Sequence, residues 1–136
     1  MAHWLIKSEP SVYGWAQFVK EKKTSWTGVR NAQASINLKA MKVGDRCFFY
    51  HSNEGKEIVG IAEVVKAAYP DPTDKAGKAV TVDVKALEPV KKPITLAAIK
   101  ADPKLKDFGL VRQSRLSVVP VSDEQWKLIL KMSETR

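Results

Sequence analysis

Cysteine is almost missing from this chain: Cys47 stands alone among 136 residues. An internal disulfide is therefore excluded, and a lone thiol fits a reducing compartment. No apolar run approaches the roughly 20 residues that a membrane-spanning helix needs, so no membrane partner is expected. The opening Met1-Ala-His-Trp4 has no basic stretch followed by an apolar one, which argues against a secretory signal. Histidine is nearly as scarce, with only His3 and His51. Cys47 and His51 fall on one face of a strand, yet two ligands are too few for a metal site, and His3 adds nothing at a useful spacing. Ser8 lacks a Gly-x-Ser-x-Gly elbow, and no glycine-rich phosphate loop occurs. The expectation is an intracellular, cytoplasmic domain (nuclear in a eukaryote) with no metal and no cofactor.

Acidic residues are in the minority. The 23 Lys and Arg against 15 Asp and Glu leave a net charge of +8, a field that favours polyanions and speeds their encounter. A lysine-rich surface also serves solubility, so the division of the charge says more than its sum. Eighteen of the 23 are Lys and five are Arg: Arg30, Arg46, Arg112, Arg115 and Arg136. Arginine suits planar, bidentate recognition. With 136 residues, 44% of them hydrophobic, the chain reads as one domain over 1–136, a monomer by default, with a sizeable core.

Residues 3–8 read as a first strand ended by Pro10. Ser11 is placed to cap a helix through about residue 22, with Val12, Trp15, Phe18 and Val19 on one face. Residues 24–31 read as a loop and 32–41 as a short helix. Val43-Gly44-Asp45 turns into a strand from Arg46 to His51, and a hairpin loop at 53–56 leads to a long strand from Glu57 to Ala68. Residues 70–79 are loop. Val80, Val82 and Val84 alternate with polar neighbours in a strand that Pro89 and Pro93 should end. Thr95 caps a short helix closed by Asp102-Pro103, residues 104–114 are irregular, and Leu116 to Val121 is a last strand. Ser122-Asp-Glu-Gln125 is a capping-box start for a final helix carrying Trp126, Ile129 and Leu130. Hairpin-linked strands with helices at the ends and edges predict a mixed α+β barrel.

Four stretches mix ring-stacking groups with edge hydrogen-bonding groups: Trp4-Leu-Ile-Lys-Ser-Glu-Pro10, Trp26-Thr-Gly-Val-Arg-Asn31, Phe48-Phe-Tyr-His-Ser52 and Arg115-Leu-Ser117. That mixture suits a planar polar ligand, a nucleobase above all. Trp15 and Trp126 sit on helical apolar faces and read as core, as could Trp4. Trp26 lies in a polar stretch and is either a plug over the core edge or a stacking platform. Lys7, Ser8 and Glu9 fall at a sheet end, where sites form, although Glu9 equally fits a capping role. Alternation puts Phe48, Tyr50 and Ser52 on one side of their strand and Cys47, Phe49 and His51 on the other, and only one side is expected to be fully apolar core. His51 fits a ligand contact, a general base or a satisfied buried histidine. A hydrolytic triad of Ser8, His51 and Glu9 is the enzymatic reading, weakened because Ser8 and Glu9 point to opposite faces of a strand.

Taken in order, these stretches resemble the EVE domain family of the PUA-like fold. Met41-Lys-Val-Gly-Asp45, Val59-Gly-Ile-Ala-Glu-Val64, Pro93-Ile-Thr-Leu96 and Arg115-Leu-Ser-Val118 with Pro120-Val121 extend the resemblance over nearly the whole chain. The order of Ile6-Lys7-Ser8, Trp26, the strand ending in Ser52 and Gly60-Ile-Ala-Glu63 is also similar to YTH readers of methylated adenine. The resemblance implies a PUA-like pseudo-barrel of mostly antiparallel strands with flanking helices. It implies a pocket for a flipped-out, modified base of DNA or RNA, with Trp26 as an aromatic wall. Lys7, Ser8, Asn31 and Ser52 would make edge contacts, while Tyr50, His51, Arg30 and Arg115 shape or line the pocket, with Ser117 beside them. The implied function is a non-catalytic reader. The alternatives are an RNA-binding module that grips through a basic surface and, behind it, an enzyme acting on a nucleoside. Two departures stand out. The family tends to continue Tyr-Gln-Ala-Arg-Asn after Asn31, where this chain has Ala32-Gln-Ala-Ser-Ile36, and the 71–79 loop is shorter than in many relatives.

Overall fold

Six strands build one sheet in a computed structural model that describes residues 2–134. The strands are β1 (His3–Ser8), β2 (Lys23–Ser25), β3 (Arg46–His51), β4 (Glu57–Pro70), β5 (Val80–Thr95) and β6 (Val118–Val121). Their order across the sheet is β2-β5-β4-β3-β1-β6. Only β1 and β3 run parallel; every other pairing is antiparallel. The helices α1 (Pro10–Tyr13), α2 (Trp15–Glu21), α3 (Ala32–Ala40), α4 (Leu96–Ala101), α5 (Gly109–Arg112) and α6 (Asp123–Glu134) flank it. This is the α+β architecture that the sequence pattern indicates, in the PUA-like form that the resemblance implies.

The centre of the sheet is buried on both sides, so the expectation of a single apolar face on β3 is corrected. Residues Cys47, Phe48, Phe49 and Tyr50 are all buried. Phe48 stacks on Trp126 of α6, with ring centroids 3.9 Å apart, while Phe49 stacks on Phe18 of α2 at 5.3 Å. A helix covers each face, and alternation then places apolar side chains in both directions.

The helix expected over 11–22 is two helices broken at Gly14, which is extended (φ −93°, ψ 172°). A side chain there would press to 3.3 Å on the Pro10 carbonyl oxygen. The break changes the helical phase. Phe18 is fully buried, whereas Val12 and Val19 are exposed instead of sharing its face. Trp15 is half-buried against Gly60, where an added Cβ would lie 2.4 Å from the indole. Substituting Gly60 would therefore displace the ring.

The strand expected to end at Pro89 runs on as β5 through Pro89 and Pro93 to Thr95. β2 pairs with β5 only at residues 83–85, so beyond that point one side of β5 is a sheet edge, where a missing N–H is tolerated. The short β2 takes in residues 24 and 25 of the expected 24–31 loop, and β6 starts at Val118 instead of Leu116. Two caps form as their residues predict. Thr95 accepts from the Ala98 N–H at 3.1 Å, and Ser122 and Gln125 exchange bonds of 3.1 and 3.0 Å.

Candidate functional site

β1 and β2 are separated in the sheet by β5, β4 and β3. At about 4.8 Å per strand, a flat sheet would hold them about 19 Å apart. Residues of both nonetheless line one hollow of about 520 Å³, bounded by Lys7, Ser8, Glu9, Val12, Tyr13, Thr24, Ser25, Trp26, Thr27, Gly28, Val29, Arg30 and Ser117. The sheet must therefore curl. The β4–β5 ladder shifts register at four places and the β3–β4 ladder at one, and such irregularities bend strands.

The break at Gly14 supplies one wall. Ser8 Oγ donates to the Tyr13 carbonyl, and His51 Nε2 accepts the Trp15 N–H at 3.0 Å. These bonds tie α1 and α2 to the ends of β1 and β3 and set Tyr13 at the hollow. The Tyr13 hydroxyl donates to Glu21 at 2.7 Å. Burial and that carboxylate push its pKa up to about 12, so the phenol stays neutral.

Trp26 forms the back of the hollow. Its N–H continues the β2–β5 ladder to the Val82 carbonyl at 2.8 Å. The indole is 8% exposed and meets Phe49 and Tyr13 edge-on, at centroid distances of 5.7 and 6.4 Å. Of the two readings that the sequence leaves open for Trp26, the plug over the core edge is the one that its burial shows, and the ring lines the hollow as well.

The third wall is locked from behind. Buried Asp71 accepts from the Gly28 N–H at 2.8 Å, from Arg30 at 3.2 Å, and from the Thr73 N–H and hydroxyl at 2.7 and 2.6 Å. Arg30 also donates to the Thr73 hydroxyl at 3.1 Å. Lys7 is half-buried; its Nζ donates to the Ser114 carbonyl at 2.7 Å, and burial pulls its pKa below the ordinary lysine value. Two of its three N–H groups have no acceptor among the described residues.

Of the residues that the sequence nominates, Lys7, Ser8, Trp26, Arg30 and Ser117 meet around this hollow. The others do not line it. Tyr50 is buried at 3% exposure, and burial raises its pKa. His51 is occupied by the Trp15 N–H, and burial, opposed by the weaker pull of Glu57, lowers its pKa. Ser52 is half-buried, with its N–H on the Ser8 carbonyl at 2.9 Å. The Asn31 side chain caps α3 through the Ala34 N–H at 3.0 Å, and Asn31 lines a neighbouring hollow with Arg115. Val12, Tyr13, Thr24 and Ser25 were not singled out by the sequence for a site, and Thr27 and Val29 only as part of the Trp26–Asn31 stretch. The only signal for Thr24 to Val29 is their adjacency to Trp26; Tyr13 arrives through the helix break. Among the described residues no group of three or more His, Cys, Asp or Glu is placed to hold a metal ion, and no helix is long and apolar enough to cross a membrane.

Comparison with known proteins places the family and the fold. The model of the EVE domain matches residues 2–132. Thymocyte nuclear protein 1 of Gallus gallus is 36% identical, over 98% of this chain and 69% of its own length. A solved protein of Rhodopseudomonas palustris is 58% identical with a TM-score of 0.94, covering 98% of this chain and 94% of that one. Human thymocyte nuclear protein 1, solved in complex with DNA containing 5-methylcytosine, is 33% identical with a TM-score of 0.89, over 100% of this chain and 99% of that one. The chain therefore belongs to the EVE domain family.

Proposed function

We propose that this chain is a non-catalytic reader of a modified nucleobase in DNA or RNA, taken flipped out of its stack into the hollow between β1, α1 and β2. The observation that carries the reading is the hollow's wall. The Tyr13 ring stands half-open in front of Trp26, and Lys7, Ser8, Thr24, Ser25 and Ser117 surround them. Bases outside a duplex are held by aromatic faces and by hydrogen bonds to their edges. The volume of about 520 Å³ is in the usual range for a small-ligand site. The human relative in complex with 5-methylcytosine DNA supports nucleic acid as the carrier of the base.

The absence of chemistry rests on how the reactive groups are used. Ser8 and His51 are not a nucleophile–base pair: the hydroxyl donates to the Tyr13 carbonyl, and the imidazole accepts from Trp15. Cys47 is fully buried, and burial together with nearby Asp45 pushes its thiol pKa up, away from thiolate. The test is binding of DNA and RNA strands that carry a panel of modified bases, beside their unmodified parents, over a salt series. A preference for one modified base that persists as salt rises, with no new product, is the expected result. Equal binding across the panel at every salt would mean that the basic surface does the binding. Turnover lost in Ser8→Ala would make the protein an enzyme.

A further inference from the structure

A second hollow, of about 380 Å³, opens beside the first, with a polar wall of Asn31, Gln33, Arg112, Gln113, Ser114 and Arg115. No acidic side chain lines it. Among the described residues the one carboxylate paired with its wall is Asp107, which meets Arg112 at 2.9 Å in an exposed pair. Such a pair contributes little and exchanges readily for another anion. Arg115 is exposed and makes no hydrogen bond or ion pair among the described residues. Asn31 spends its side-chain oxygen on the Ala34 N–H, leaving its amide donors uncommitted.

A thin septum divides the two hollows. Arg30 and Ser117 line the first, while their chain neighbours Asn31 and Leu116 line the second. Adjacent Cα atoms are about 3.8 Å apart. Lys7 of the first hollow donates across the same septum to the Ser114 carbonyl of the second, at 2.7 Å. A ligand joined through one sugar to a base in the first hollow would thus bring its phosphate to the second.

We infer that the second hollow is a phosphate subsite, with Arg115 as its principal cation and Arg112 joining by exchange from Asp107. This rests on the base-reading proposal for what occupies the first hollow. Guanidinium is the group suited to phosphate oxygens, through paired N–H donors. The assignment moves Arg115 from reading the base to holding the backbone, so it contributes affinity without discrimination.

The test compares the protein with Arg115→Gln and Arg112→Gln on 5-methyl-2′-deoxycytidine, its 5′-monophosphate, and DNA with and without one 5-methylcytosine, over a salt series. Arg115→Gln should lower affinity for both DNAs by about tenfold at low salt and reduce the salt slope by about one. Nucleoside affinity and the ratio between the two DNAs should stay the same, as should the melting temperature. Arg112→Gln should act in the same direction, less strongly. Loss on the monophosphate as well as on DNA assigns the subsite to the base's own phosphate; loss on DNA alone assigns it to the neighbouring phosphodiester. An unchanged salt slope, or a weakened nucleoside, overturns the inference. If the unsubstituted protein showed no preference among bases while Arg115→Gln still reduced the slope, the base-reading proposal would fail and the phosphate subsite would stand.

Discussion

The carboxylate of Asp71 accepts the backbone N–H of Gly28 at 2.8 Å, joining segments 43 residues apart. Gly28 has φ +85°, in the left-handed region that glycine adopts without strain. The bond therefore fixes a turn that lines the hollow. Burial alone would raise the Asp71 pKa, but the bonds from Thr73, Gly28 and Arg30 outweigh it and hold the carboxyl well below the usual range. A lowered folded value means that the stabilisation is fully present above about pH 4 and is lost only as pH falls through the folded pKa. Asp71→Ala should cost about 1–3 kcal/mol at neutral pH, because it takes the acceptor away from the part-buried bonds of Gly28 and Thr73. Asp71→Asn should also weaken base binding without touching the base. Calorimetric melting beside oligonucleotide titration checks both effects.

Trp26 and Tyr13 should separate stability from binding. Trp26→Ala empties a buried site and should cost about 3–5 kcal/mol, lowering the melting temperature together with affinity. Tyr13 is half-open, so Tyr13→Ala should cost much less stability. It should still weaken base binding by about 1–3 kcal/mol, the usual loss for one stacked base. Trp26→Phe, which keeps a ring in the core, should recover most of the stability. If Tyr13→Ala melts lower but binds unchanged, the ring supports the wall and does not meet the base.

What the sequence shows and hides follows from the range of the interactions. The Ser122–Gln125 box and the Thr95 cap are local, and both form as read. The strand Arg46–His51 is marked by its central Phe48-Phe49-Tyr50. Gly14 reads as a tolerated glycine inside a helical period; only the bonds to Ser8 and His51, from two other strands, make a break there favourable. Pro89 and Pro93 read as strand ends because the sequence does not say which strand is short of a partner. The same limit applies to the hollow. Lys7, Ser8, Trp26 and Arg30 stand out by their company in the chain. Tyr13, Thr24 and Ser25 join them only once the sheet has curled, whereas Asn31 and Arg115, equally conspicuous in sequence, fall on the far side of a septum.

The bond from Trp15 N–H to His51 Nε2 needs a neutral imidazole, since the protonated ring has no lone pair to accept with. Burial lowers the folded pKa below 6.5. The unfolded chain then binds the proton more readily, so stability is greatest above about pH 6.5 and declines as pH falls from there to the folded value. His51→Gln keeps an acceptor in place without the titration. It should flatten the change in melting temperature between about pH 7 and pH 5 that this residue contributes. A pH series of thermal melts on the two proteins, run in parallel, would show it. Identical slopes would mean that the ring is not held as an acceptor.

Lys7 places a charge where burial opposes it. Its ammonium is half-buried and, among the described residues, has no carboxylate within ion-pair distance and donates only to the Ser114 carbonyl. Burial lowers its folded pKa from 10.5. Between the folded and unfolded values the unfolded chain holds more protons, so stability rises with pH across that window. At neutral pH the buried charge is therefore a cost to folding. Lys7→Met keeps the apolar stem and removes the charge, so it should leave the melting temperature unchanged or raise it. Binding should move the other way. The free N–H groups are charged donors at the hollow, and a hydrogen bond from a charged group contributes about 1.5–3 kcal/mol. Affinity for the preferred oligonucleotide should drop by that amount. In the unsubstituted protein, affinity should also decline as pH approaches the lowered pKa from below, a decline that Lys7→Met should lack. A variant that is both less stable and unchanged in binding would mean that Lys7 serves the fold.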